Sequence, residues 1–181
     1  MFISTDNGTS WTAVNNNAAY SLFVNGNDIF FGTSTGALHS TNNGTSWTPV
    51  NTGLAKSQIN ALVASGTNLF AGTQDSGVYI STNMGGNWSR ADSGLGNVTV
   101  RSLVVNGTTL LAATFSGIFR STNNGTSWSL VNTSLSNALL VNGSSVYAGG
   151  FEMLVSTDDG VSWTSADTGL DSAMVTSLAA N

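Results

Sequence analysis

Few side chains in this chain are equipped for chemistry: nine carboxylates, four basic residues (Lys56, Arg90, Arg101 and Arg120), one histidine and no cysteine. Hydrolysis of a glycosidic bond needs two facing carboxyl groups, roughly 5–9.5 Å apart. Asp92 and Asp167 suggest such a pair, but Asn51 and Asn132 stand at the corresponding places elsewhere in the chain. That pattern reads as turn capping. Glu152, the only glutamate, replaces Gly36, Gly77 and Gly117, and Asp75 also has no regular counterpart. Without cysteine there is no disulfide, thiolate zinc site or thiol nucleophile. His39 alone makes neither a metal site nor a charge relay, so it reads as a half-buried strand residue. No cofactor or metal is expected.

Counterparts exist because the chain repeats. The pattern Ser-Thr-[Asp/Asn]-x-Gly-x-[Ser/Asn]-Trp runs over residues 4–11, 40–47, 81–88, 121–128 and 156–163, and it uses all five tryptophans. Its third position is Asp6, Asn42, Asn83, Asn123 and Asp158, and its fifth is Gly8, Gly44, Gly85, Gly125 and Gly160. Its last is Trp11, Trp47, Trp88, Trp128 and Trp163, spaced by 36, 41, 40 and 35 residues. A near-constant period of that size marks a repeat architecture. Asp or Asn can hydrogen-bond the backbone N–H groups ahead of it, Gly admits a positive φ, and Trp can bury a large surface between neighbouring units.

Each unit reads as four short strands. Apolar first strands (20–24, 60–64, 101–105, 137–141) run into Asn-Gly or Ser-Gly turns, where a two-residue hairpin loop with positive φ at both central residues is expected. Second strands follow at 29–33, 69–73, 110–114 and 146–149, third strands at 37–40, 78–81, 118–121 and 153–156, and the Trp opens a fourth. The fold class is all-β: a β-propeller of four-stranded antiparallel blades, four complete, with partial blades at both ends. Residues 1–17 supply strands three and four of one blade. Residues 18–53, 54–94, 95–133 and 134–169 are whole blades, and 170–181 is the first strand of a further one. The expected strand there spans 174–179. An open arc of this kind exposes apolar blade faces and is expected to self-associate when expressed alone.

The repeated octapeptide resembles the Asp-box, the bacterial neuraminidase repeat of sialidases. Similar repeats occur in sortilin-type receptors, in secreted xyloglucan-degrading glycosidases and in photosystem-assembly propellers. The resemblance implies a structural hairpin lying away from the active face. Asn at three of the five third positions speaks against a metal there. A sialidase site implies three arginines on a carboxylate, a Tyr–Glu pair and an acid Asp. Arg120 falls in a third strand and Arg90 in a fourth, leaving only Arg101 on an inner strand, so that constellation is not carried over.

The repeat is broken most in the loops between second and third strands, by Gln74, Asp75, Phe115, Phe151 and Glu152, and also at Lys56. Tyr20, Asn60, Arg101 and Asn137 share one position near the start of the inner strand. Aromatic rings, amides, an acid and an arginine on one face suit a sugar or a peptide; ordinary drift of solvent-facing loops is the alternative. Only 7% of residues are charged and the net charge is −5, which disfavours nucleic acid and anionic membranes as partners. No apolar run is long enough to span a membrane, and no N-terminal stretch has the form of a secretory signal. The expectation is a non-catalytic propeller segment of a larger secreted or surface bacterial protein, serving interaction or scaffolding through carbohydrate or protein. The alternative is a fragment of a sialidase-like or other glycoside hydrolase whose remaining catalytic residues lie outside this chain. A photosystem-assembly-like factor ranks last, for want of a basic patch.

Overall fold

The structure, a computed structural model, describes residues 1–170 and 173–180. It is all-β, with no helix among the described residues. β1 (Phe2–Ile3) and β2 (Thr12–Ala13) pair as a two-stranded sheet. Four antiparallel four-stranded sheets follow in chain order. The first holds β3 (Ser21–Asn25), β4 (Asp28–Thr33), β5 (Gly36–Ser40) and β6 (Thr48–Pro49). The second holds β7 (Ile59–Ser65), β8 (Asn68–Thr73), β9 (Val78–Ser81) and β10 (Ser89–Arg90). The third holds β11 (Val100–Asn106), β12 (Thr109–Thr114), β13 (Gly117–Ser121) and β14 (Ser129–Asn132). The fourth holds β15 (Ser136–Asn142), β16 (Ser145–Gly150), β17 (Met153–Ser156) and β18 (Thr164–Ser165). These are the blades of a β-propeller, and each Trp stands just before its outer strand rather than within it.

The hairpin turns differ in type from the expected one. Asn25 pairs with Asp28, so the central residues are Gly26 and Asn27, and of these only Gly26 has a positive φ, 61°. Glycine at the first central position is the II′ arrangement, whose twist matches that of the flanking strands. Gly66, Gly107 and Gly143 repeat it with φ of 60–61°.

The repeated octapeptide folds into one tight turn each time. In the second blade the Ser81 hydroxyl donates to Asn83 Oδ1 at 3.0 Å and accepts the Gly85 N–H at 2.8 Å. Asn83 Oδ1 then accepts the Asn87 N–H at 2.8 Å. The residue before the glycine is left-handed in all five copies: Asn7, Asn43, Met84, Asn124 and Asp159, with φ of 53–57°. Asn and Asp are the non-glycine residues that tolerate this region best, which leaves Met84 as the exception.

The core lies between blades rather than within them, as in stacked repeats. Phe30, Ile59, Leu62, Leu69, Tyr79 and Trp88 pack the first junction. Phe70, Val78, Val100, Leu103, Leu110, Phe119 and Trp128 pack the second. Leu111, Ile118, Leu139, Val146 and Leu154 pack the third. The tryptophans do not share one environment. Trp88 and Trp128 are buried, Trp47 and Trp163 are half-buried, and Trp11 is 62% exposed.

Residues 173–180 form no strand, since no second strand lies beside them to complete a ladder. Val175 nonetheless takes the place that Val100 takes two blades earlier. Its carbonyl accepts from Asn137 Nδ2 at 3.1 Å, as that of Val100 accepts from Asn60 Nδ2 at 3.0 Å. Residues 171, 172 and 181 of the expected 170–181 unit lie outside the described residues.

Candidate functional site

The inner strands of three blades carry a bulge at the same place. The ladder β7–β8 skips Asn60, β11–β12 skips Arg101 and β15–β16 skips Asn137. A bulge re-aims the side chain of its extra residue, and what that side chain then meets depends on the neighbouring blade. Asn60 and Asn137 spend an amide N–H on the following inner segment, through the carbonyls of Val100 and Val175. Arg101 makes no such bond among the described residues. At that junction the inner strands meet instead through the Leu139 N–H and Ser102 Oγ, 3.1 Å apart. The Arg101 guanidinium lies over the Phe115 ring, with Cζ 4.5 Å from its centroid.

Arg101 and Phe115 line a cavity of about 620 Å³ where the inner-strand starts and the strand-two-to-three loops converge. Tyr20, Asn60 and Asn137 enter it from the inner strands or just before them, and Gln74 and Phe151 from the loops. Seven of the nine residues singled out in the sequence thus share one cavity: Tyr20, Asn60, Gln74, Arg101, Phe115, Asn137 and Phe151. Gln58, Thr99, Leu135, Met174 and Thr176 complete the lining and were not anticipated. Gln58, Thr99 and Leu135 each lie two residues before a bulged residue, so the bulge position itself could have pointed to them. Met174 and Thr176 come from the segment that forms no strand. Its place beside Asn137 is a tertiary fact.

Asp75 and Glu152 do not line the cavity. Asp75 accepts a hydrogen bond from Ser57 Oγ and another from Ser76 Oγ. The Ser57 hydroxyl first, then that of Ser76, holds the Asp75 carboxyl below the ordinary carboxylate range. Glu152 accepts from Ser134 Oγ. Both pairs are 18 residues apart, so the two acids do equivalent work. Each clamps its loop to the turn that leads into its own inner strand.

The other two arginines and the histidine are occupied. Arg90 forms an ion pair with Asp92, which raises its pKa, and also reaches Asn97. Arg120 Nε donates to the Asp159 carbonyl at 2.8 Å. His39 stacks on Phe30 at 4.1 Å and meets Asp28 at 2.6 Å, as a half-buried strand residue. Asp92 is drawn toward Arg90, whereas Asn51 caps the Ala37 N–H at 2.7 Å, so aligned turn residues do different jobs. The described residues hold no cluster of three or more His, Cys, Asp or Glu able to take a metal ion.

Blades repeated about a common centre, with inner strands converging on a cavity, define a β-propeller. The family model described as the DUF6242 beta propeller domain matches residues 1–99, more than half of the chain. The chain belongs to that family. No curated protein matches the sequence. Among solved structures, an ancestral GH74 enzyme shares 21% identity and a TM-score of 0.75, covering 93% of this chain and 28% of that one. The GH74 xyloglucanase from Xanthomonas campestris shares 13% identity and a TM-score of 0.69, covering 91% of this chain and 34% of that one. The computationally designed Ika8 protein shares 17% identity and a TM-score of 0.67, covering 88% of this chain and 52% of that one. The chain thus spans between about a quarter and a half of these structures' length, and the likeness is one of fold.

Proposed function

We propose that this chain is a non-catalytic binding segment of a propeller, serving interaction within a larger secreted or surface bacterial protein. One observation carries the reading: the cavity is lined by rings, amides, hydroxyls, two aliphatic side chains and one guanidinium, with no carboxylate among the described residues. Glycoside hydrolysis requires an acid and a second carboxylate at the scissile bond. The two acids that break the repeat are instead held by Ser57 and Ser134. Open volume with exposed rings and a few convergent polar groups is the make-up of a ligand site.

We read the five repeated turns as Asp-boxes in a purely structural role. The serine, the Asp or Asn, and the glycine satisfy one another within each turn, which supports that reading. The low share of charged residues, with polarity carried by Asn, Thr, Ser and Gly, supports an extracellular setting.

The second reading is part of a glycoside hydrolase whose catalytic carboxylates lie outside this chain. It is favoured by the enzymes among the similar folds, described as GH74. Incubation with xyloglucan and a panel of other polysaccharides separates the two. Retention on a polysaccharide or protein partner with no new reducing ends is the expected result. Release of reducing ends above a buffer blank overturns the non-catalytic reading.

A further inference from the structure

We propose that the cavity takes an acidic saccharide, a hexuronate unit whose carboxylate is received by Arg101. The proposal rests on the binding-segment reading above and adds the chemical class of the ligand. Acids outnumber bases nine to four in this chain, so an arginine left without any hydrogen-bond partner stands out. Arg90 has Asp92 and Arg120 has the Asp159 carbonyl, whereas Arg101 has no hydrogen-bond or ion-pair partner among the described residues. Among the described residues it is also the only cation in the cavity lining.

Phe115 holds the guanidinium by its face, which leaves the N–H edges free. Those edges match a carboxylate in the two-pronged manner particular to arginine, and stacking reduces the freedom lost on binding. A single such cation suits one carboxylate better than a phosphate dianion. Around it, the side-chain amide of Gln74 and the Oδ1 of Asn137 make no hydrogen bond among the described residues. Amides both donate and accept, as sugar hydroxyls do. The exposed rings of Tyr20 and Phe151 offer apolar faces for the C–H side of a sugar ring.

Titration calorimetry with trigalacturonate, its full methyl ester and cellotriose tests the proposal on the whole chain and on Arg101→Gln. Arg101 is exposed, and unchanged tryptophan fluorescence verifies that the variant is folded. The acid is expected to bind roughly 10- to 100-fold more tightly than its ester, the worth of a hydrogen bond to a charged group. Arg101→Gln should abolish that difference. Added salt should weaken the acid alone. Equal binding of acid and ester overturns the carboxylate assignment while leaving the binding-segment reading in place, and wild-type ligands suffice to see it. Arg101-dependent binding of a short peptide with a free C-terminal carboxylate, and not of trigalacturonate, overturns the saccharide assignment. If none of the saccharides or peptides binds, this proposal and the binding role of the cavity fall together.

Discussion

The indole N–H of Trp88 donates to the Val50 carbonyl at 2.8 Å, one blade back in the chain. Gly53 makes the approach possible. It is left-handed, with φ of 83°, and a Cβ there would overlap the Trp88 carbonyl oxygen. Trp128 repeats the bond to Ala91 at 2.7 Å beside Gly94. Where the aligned residue is Asn17 or Ser134, the indoles of Trp47 and Trp163 turn back to the carbonyls of Gly44 and Gly160 in their own turns.

Gly53→Ala is therefore expected to cost about 2–4 kcal/mol, from left-handed strain of roughly 1–2 kcal/mol plus overpacking. Gly169→Ala has the same strain, with φ of 86°, but no neighbour within 4 Å among the described residues. It should cost only about 1–2 kcal/mol. Urea unfolding of the two variants measures the difference, and equal losses would show that the close blade contact contributes nothing.

Ser81 is 1% exposed, and its hydroxyl satisfies the buried Gly85 N–H. Ser81→Ala leaves that donor unpaired and should lower stability by about 1–3 kcal/mol. Ser4 makes the same bond to Gly8 on an exposed turn, where water can substitute. Ser4→Ala should cost less than about 1 kcal/mol. Thermal melts of both variants decide; a larger loss for Ser4→Ala would contradict the burial argument.

Asp158 accepts hydrogen bonds from the Ser162 hydroxyl, the Ser162 N–H and the Ser156 hydroxyl, which hold its carboxyl down from 3.8 to about 2. Asp6 is held at about 2 in the same way by Ser10 and Ser4. A depressed pKa in the fold means stability that is present above the unfolded value, near 3.8, and lost as pH falls toward 2. Asp158→Asn should therefore melt like the wild type at pH 7 and lose less between pH 4 and pH 2. The Asn residues at 42 and 123 meet the same partners without a titrating group, the amide Nδ2 donating to the serine hydroxyl and Oδ1 accepting the serine N–H. Parallel acid titrations would refute the assignment.

Leu22 is 60% exposed, although its counterparts Leu62, Leu103 and Leu139 are 5%, 4% and 7% exposed beneath a preceding blade. Val24 beside it is exposed as well. This bare face should drive association at micromolar concentration. Leu22→Lys with Val24→Glu should shift light-scattering profiles toward monomer without lowering the melting temperature. Unchanged oligomers would place the contact elsewhere.

What sequence alone determined here is local. The octapeptide, its turn, the apolar alternation and the near-constant period all depend on residues within one unit, so the strands of the four-stranded sheets could be read to within a residue or two, whereas the strand expected at 174–179 did not form. Even there the hairpin type was misread, because Asn-Gly does not say which of its residues opens the loop. The tertiary structure decided what each polar residue does. Asn60 and Arg101 align in the repeat, yet one bonds Val100, 40 residues on, and the other lies over Phe115 in the cavity. Asp75 and Glu152 broke the repeat as a binding acid would, and serines 18 residues away hold them. Those partners arrive only when the turns before the inner strands fold back onto the loops and neighbouring blades come together, and no period along the chain encodes that distance.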